Sequence, residues 1–215
     1  RWPNCGRTCR RTGATMWPIV GHLASAHHDA FAPTLPGHGS SSDDLVDVGF
    51  AAWLDAARDW PADVVVGQSM GAALALALAA EGRVRGVVAI NPLAPDPDAV
   101  DGLEWRRSRG HERIEVGPSS VGEIAYEELP LGALLAMHHG LLELDLTTVR
   151  VPLLVATSAN DDVVDPASSD VIAAAVDGPV ERLALPRSGH VASLDVDRDL
   201  LGRAIVDFVA RMMRR

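Results

Sequence analysis

From Gly13 onward, apolar residues fall into two alternating rhythms. Met16, Trp17, Val20 and Leu23 recur at helical spacing up to the His27-His28 pair and predict an amphipathic helix. Asp29 to Leu35 is a short apolar stretch entering Leu35-Pro-Gly-His-Gly39, whose proline and glycines mark a turn, so it reads as a strand running into a loop. Phe50, Trp53, Leu54 and Ala57 give a second helix, which stops before Pro61 because proline disfavours a helical residue ahead of it.

Beyond Pro61 the strands lose polar alternation. Asp63 to Val66, Val84 to Ile90 and Val151 to Ala156 are almost wholly apolar, which suits parallel strands covered on both faces. The alanine-leucine run that ends at Ala80 is apolar nearly all round and predicts a buried helix. Pro166 to Val176 reads as a helix, Val180 to Leu185 as a last strand, and Arg198 to Arg211 as a closing helix with Ile205, Phe208 and Val209 inward. Strand and helix in alternation predict an open α/β sheet. Residues 93–147 break the alternation: they open with Pro95 and Pro97, carry Arg106, Arg107 and Arg109, and end on Leu131, Leu134, Leu135, His138, Leu141 and Leu142 at helical spacing. An insertion of this length between sheet strands reads as a lid over the strand ends.

Composition narrows the class. A chain of 215 residues, 47% hydrophobic and 22% charged, is one folded domain rather than a disordered or fibrous one. No run approaches the roughly 18 uncharged apolar residues that a membrane span needs. The net charge of −10 argues against a nucleic-acid partner, which would need a basic face. Residues 1–28 nevertheless hold four arginines and no acid. Arg1 to Arg11 shows neither strand alternation nor a helical stripe and lacks the apolar segment of a secretory leader; it reads as a fragment start or a shifted frame, and the cytoplasm is the expected compartment. Cys5 and Cys9 are the only cysteines and both fall in that segment, so the fold beyond it owes nothing to disulfides or a cysteine metal site.

Gly67-Gln-Ser-Met-Gly71 fits G-x-S-x-G, between a valine strand and a buried helix. The glycines suit a strained strand-to-helix turn where side chains would clash; Ser69 would stand exposed as a nucleophile, and the Met70 amide at the helix N-terminus would face a developing oxyanion. A serine hydroxyl needs a base held by an acid, in the order Ser, Asp or Glu, His. His190, in Arg187-Ser-Gly-His-Val191 after the last strand, is the candidate base. Asp161, Asp162 and Asp165 compete as the acid. Asp165 is placed to cap the helix beginning at Pro166, and Asp161 lies nearest the strand's C-terminal end, where ligands gather in open sheets. His27 and His28 end a helix and as neighbours are not spaced as ligands; His138 sits on an apolar stripe, and His38 lies near enough to the pocket to shape it. No metal site is expected.

Leu35-Pro-Gly-His-Gly39, Gly67-Gln-Ser-Met-Gly71, Asp161-Asp-Val-Val-Asp-Pro166 and Ser188-Gly-His-Val-Ala-Ser-Leu-Asp195, in that order, resemble the α/β-hydrolase superfamily, and within it the bacterial carboxylesterases and monoacylglycerol lipases. The resemblance spans residues 12–215 and implies the α/β-hydrolase fold, a mainly parallel open sheet flanked by helices, with a small lid at 93–147. It implies Asp161 as the acid of a Ser69, His190, Asp161 triad, no cofactor or metal, and a small-molecule ester substrate with a short to medium acyl chain or a monoacylglycerol. The family carries an apolar strand ending in His-Gly before its first helix, and the next amide is its second oxyanion donor. Here Cys9, Arg10 and Arg11 occupy that place, so the N-terminal strands are truncated or altered and Arg11 is the candidate donor. Two other outcomes follow from the same residues. One is a cofactor-free haloperoxidase or perhydrolase with the same triad, and the other a truncated or frame-shifted chain that is inactive.

Overall fold

The computed structural model describes residues 13–39, 41–116, 121 and 126–214. Arg11 and the expected alteration of residues 1–11 lie outside the described residues. Four strands, β1 (Val64–Gln68), β2 (Gly86–Ile90), β5 (Leu153–Ser158) and β6 (Val180–Leu185), form one parallel sheet in the order β1-β2-β5-β6. Helices α3 (Met70–Ala80) and α6 (Ala167–Ala175) carry the chain between neighbouring strands, while α1 (Trp17–Ser25), α2 (Phe50–Arg58) and α7 (Arg198–Met213) complete the layers. Between β2 and β5 stand α4 (Pro97–Ser108), an antiparallel pair β3 (Arg113–Glu115) and β4 (Glu128–Pro130), and α5 (Leu131–Leu142).

The absence of polar alternation has its cause in the two covered faces. Side chains alternate across a strand, so Val87, Ala89, Leu153 and Val155 pack with α3 and Ile172 of α6, whereas Val88, Ile90, Leu154 and Ala156 pack with Ile19, Leu23 and the Ile205, Phe208 face of α7. Helix α3 is apolar all round because it faces two partners. Ala75, Leu76 and Ala79 meet the sheet, and Ala73, Leu74 and Ala77 meet Phe50, Trp53 and Met137. At the α2–α5 crossing Gly140 is required, since a Cβ there would stand 2.2 Å from the Phe50 ring.

Several sequence expectations shift. The segment Asp29 to Leu35 is not a strand: no described strand pairs with it, and Pro33 lacks the donor a ladder needs. The first helix turns Ile19 and Leu23 inward and leaves Trp17 half exposed. It also ends at Ser25 rather than at the histidine pair, with His27 at φ 63° and the His28 amide donating to the Leu23 carbonyl. Strands β1, β2 and β5 begin one or two residues later than their apolar runs.

Candidate active site

All four sheet strands run parallel, so their C-terminal ends gather along one edge, and the loops leaving that edge carry the candidate residues. At the end of β1 the chain turns into α3 through Ser69, whose φ of 54° and ψ of −120° are strained for a residue with a side chain. The Ser69 amide donates to the Ile90 carbonyl at 2.9 Å and its carbonyl accepts the Ala72 amide, which holds the turn against the strain. Gly67 permits the turn: a Cβ on it would lie 2.0 Å from the Gly71 carbonyl oxygen. Among the described residues nothing lies within 4 Å of a Cβ built on Gly71, so of the two glycines it is Gly67 that their packing demands. Met70 opens α3, where backbone amides and the helix dipole favour negative charge.

The loop after β6 carries His190, with 15% of its side chain exposed, against Asp161, with 1%. Imidazole Nδ1 lies 2.9 Å from Asp161 Oδ2 and 3.0 Å from Oδ1. Asp161 Oδ1 also accepts the amides of Val163 and Val164, at 2.9 and 2.8 Å. Burial pushes the Asp161 carboxyl up, but the hydrogen bonds from His190, Val164 and Val163, with the attraction of His190, outweigh it and hold the group below the ordinary carboxylate range. The other two aspartates are exposed; α6 begins at Ala167, one residue later than expected, with Pro166 in the N-cap place, and Asp165 just ahead of it accepts the Ala167 amide at 2.9 Å.

Several residues that the sequence reading passed over hold the histidine loop. Asp197 is 4% exposed; its Oδ2 accepts the amides of Arg187 and Ser188 and the Ser188 hydroxyl. Burial raises its carboxyl, yet these bonds and the Arg187 charge pull it below the usual range. Asp195 accepts the Gly189 amide at 2.7 Å, and Gln68, next to Ser69, accepts the Ser193 amide at 3.2 Å. The signal for them was a pair of acids soon after a loop histidine, which alone is indistinguishable from a solvated turn.

Ser69, Met70, His190, His38, Leu93 and Met137 line one cavity. Burial lowers the His38 imidazole against the opposing pull of the Pro36 carbonyl. His138 of α5 also lines the cavity; burial lowers it too, and its Nδ1 is buried without a hydrogen-bond partner. Among the described residues, no three His, Cys, Asp or Glu side chains are grouped to hold a metal, and no helix is long and apolar enough to cross a membrane.

A family model described as "Alpha/beta hydrolase family" matches residues 6–203. A thermostable monoacylglycerol lipase of Bacillus sp. (strain H-257) is 27% identical over 93% of this chain and 86% of its own. A solved structure from work on LipS and LipT, two metagenome-derived lipolytic enzymes, superposes with a TM-score of 0.83 at 26% identity, covering 96% of this chain and 91% of that one. The monoacylglycerol lipase of Paleococcus ferrophilus shares the fold at a TM-score of 0.70 and 14% identity, over 94% of this chain and 90% of its own.

Proposed function

Because this chain belongs to the alpha/beta hydrolase family and is an esterase- or lipase-like hydrolase, we propose that it cleaves carboxylic esters through Ser69, His190 and Asp161. The observation that carries this reading is the buried Asp161 carboxylate, locked by two backbone amides and paired with His190 Nδ1, on a loop that shares a cavity with the strained Ser69 turn. Asp161 keeps the proton on Nδ1, which leaves Nε2 free to accept. Ser69 Oγ then adds to the ester carbonyl carbon as its proton passes to Nε2, and the Met70 amide stabilises the resulting oxyanion. Collapse expels the alcohol, which takes the proton from His190. Water, deprotonated by the same imidazole, adds to the acyl-enzyme and releases the carboxylic acid with Ser69 restored. Arg11 is carried as the second oxyanion donor on the resemblance alone. No step calls for a metal or organic cofactor.

Residues 93–147 act as the lid in this reading, because α5 and β4 bring Leu134, Met137 and Leu129 to the cavity wall. An apolar wall beside a serine nucleophile fits an acyl chain, and the likeness to the Bacillus lipase favours short to medium acyl esters or monoacylglycerols. The test is hydrolysis of a p-nitrophenyl acyl series and of a monoacylglycerol, with Ser69→Ala beside the unmodified chain. Turnover should vanish in the variant; turnover at the unmodified rate would end the serine reading.

A further inference from the structure

The C-terminal end of β2 carries a residue that no step above uses. Asn91 is 3% exposed and holds φ at 45°, in the left-handed region; His27 and Ser69 are the other residues with side chains to do so among those described. Its backbone amide donates to the Ala156 carbonyl at 2.9 Å. Its side chain is engaged at both ends. Oδ1 accepts the Ser158 amide at 2.8 Å, while Nδ2 donates to the His190 carbonyl at 2.8 Å and to Ser158 Oγ at 2.9 Å, with the Gly189 carbonyl at 3.4 Å. One residue earlier, the Ile90 carbonyl accepts the Ser69 amide. This dipeptide therefore bonds to the turn of Ser69, to the end of β5 just ahead of Asp161, and to the His190 peptide.

We infer that Asn91 is a positioning residue that sets the backbone of His190 against Ser69 and Asp161; the inference rests on the catalytic reading proposed above. Asp195 and Asp197 grip the amides of Arg187, Ser188 and Gly189, whereas Asn91 grips the carbonyls of Gly189 and His190. The loop is thus pinned from both sides, and the second pin comes from the strand whose carbonyl already holds the nucleophile. Asparagine suits the task because one planar group supplies a donor and an acceptor, and because it tolerates the left-handed backbone. Aspartate would offer no donor. The stored strain has the same reading: a left-handed residue with a side chain persists where its surroundings over-determine it.

Two substitutions test the role. Asn91→Gly keeps the left-handed backbone and removes the amide; Asn91→Asp keeps the shape and the acceptor toward Ser158 but removes the donors. In both, kcat on p-nitrophenyl butyrate should fall about a hundredfold with KM within about twofold, as for a mispositioned catalytic group. Labelling of Ser69 by a fluorophosphonate should slow by the same factor. The far-downfield Nδ1 proton resonance of an imidazole bonded to a carboxylate should be lost while the variants still melt cooperatively. That resonance needs no turnover, so it reads His190 independently of hydrolysis. The inference is overturned if either folded variant keeps the resonance and a kcat within about threefold of the unmodified chain. It is equally overturned if both variants lose cooperative melting, since Asn91 would then be holding the fold and not the histidine. Ser69→Ala run alongside separates the two readings: an active Ser69→Ala removes the catalytic one, while an inactive Ser69→Ala beside fully active Asn91 variants removes the positioning role alone.

Discussion

In an Asp161→Asn variant the new amide has one way to sit. The amides of Val163 and Val164 donate to Oδ1 at 2.9 and 2.8 Å, so they retain the asparagine oxygen at that position. The NH2 group then takes the place of Oδ2, 2.9 Å from His190 Nδ1. The retained oxygen lies 3.0 Å from Nδ1, but an Nδ1–H turned to it would be crowded by the NH2 donor at 2.9 Å, whereas Nδ1 as acceptor meets that donor directly. The ring is therefore expected to carry its proton on Nε2, and the nitrogen proposed to serve Ser69 can no longer take the hydroxyl proton. A wrong tautomer of this kind costs about 10⁴ in kcat, or about 5.4 kcal/mol of transition-state stabilisation. Because the loop bonds survive, KM and the melting temperature should move little. Steady-state hydrolysis of p-nitrophenyl butyrate, with a thermal melt on the same sample, measures all three. Asp162→Asn provides the control, since its exposed carboxylate should be dispensable. A kcat for Asp161→Asn within tenfold of the unmodified chain would refute the tautomer argument, and a collapse in Asp162→Asn alone would move the acid by one residue.

Gly67→Ala should destroy the nucleophile turn, because its Cβ would meet backbone at 2.0 Å that cannot step aside, whereas Gly71→Ala, which meets none of the described residues, should leave the melting temperature unchanged or raised. Soluble yield and melting temperature check the contrast, and equal tolerance at both positions would disprove it. Gly140→Ala drives a methyl into the Phe50 ring at 2.2 Å and should cost about 1–3 kcal/mol, read as a melting temperature lower by several degrees with activity retained in the folded fraction. His38 and His138 are both lowered by burial in the folded chain, so the unfolded chain takes up their protons first and stability should fall as pH drops below about 6.5. A melting temperature that stays level or rises between about pH 8 and pH 5 would contradict that sign.

What the sequence revealed, and what it concealed, follows from where each interaction has its partner. The sheet was legible because a parallel strand covered on both faces must be apolar at every position, and Val87 to Ile90 and Leu153 to Ala156 meet that demand within their own residues. The Ser69 turn was legible for a similar reason: its steric requirement is local, written in Gly67 two residues away. Asp161 was separable from Asp165 because a bond to the first amide of the following helix is also a local feature. Asp29 to Leu35 misled because a strand is a relation to a neighbour, which an apolar stretch with Pro33 in it does not specify, and among the described residues no strand pairs with it. Asn91 was hidden for the converse reason. Asn91-Pro92 after a valine strand is an ordinary stop signal, and its partners stand 67 and 99 residues away. The site is therefore built in two layers. Groups proposed to meet the ester sit in motifs that a single segment can specify, and groups that hold them in register, Asn91, Asp195 and Asp197, acquire meaning only once the four strand ends are brought to one edge.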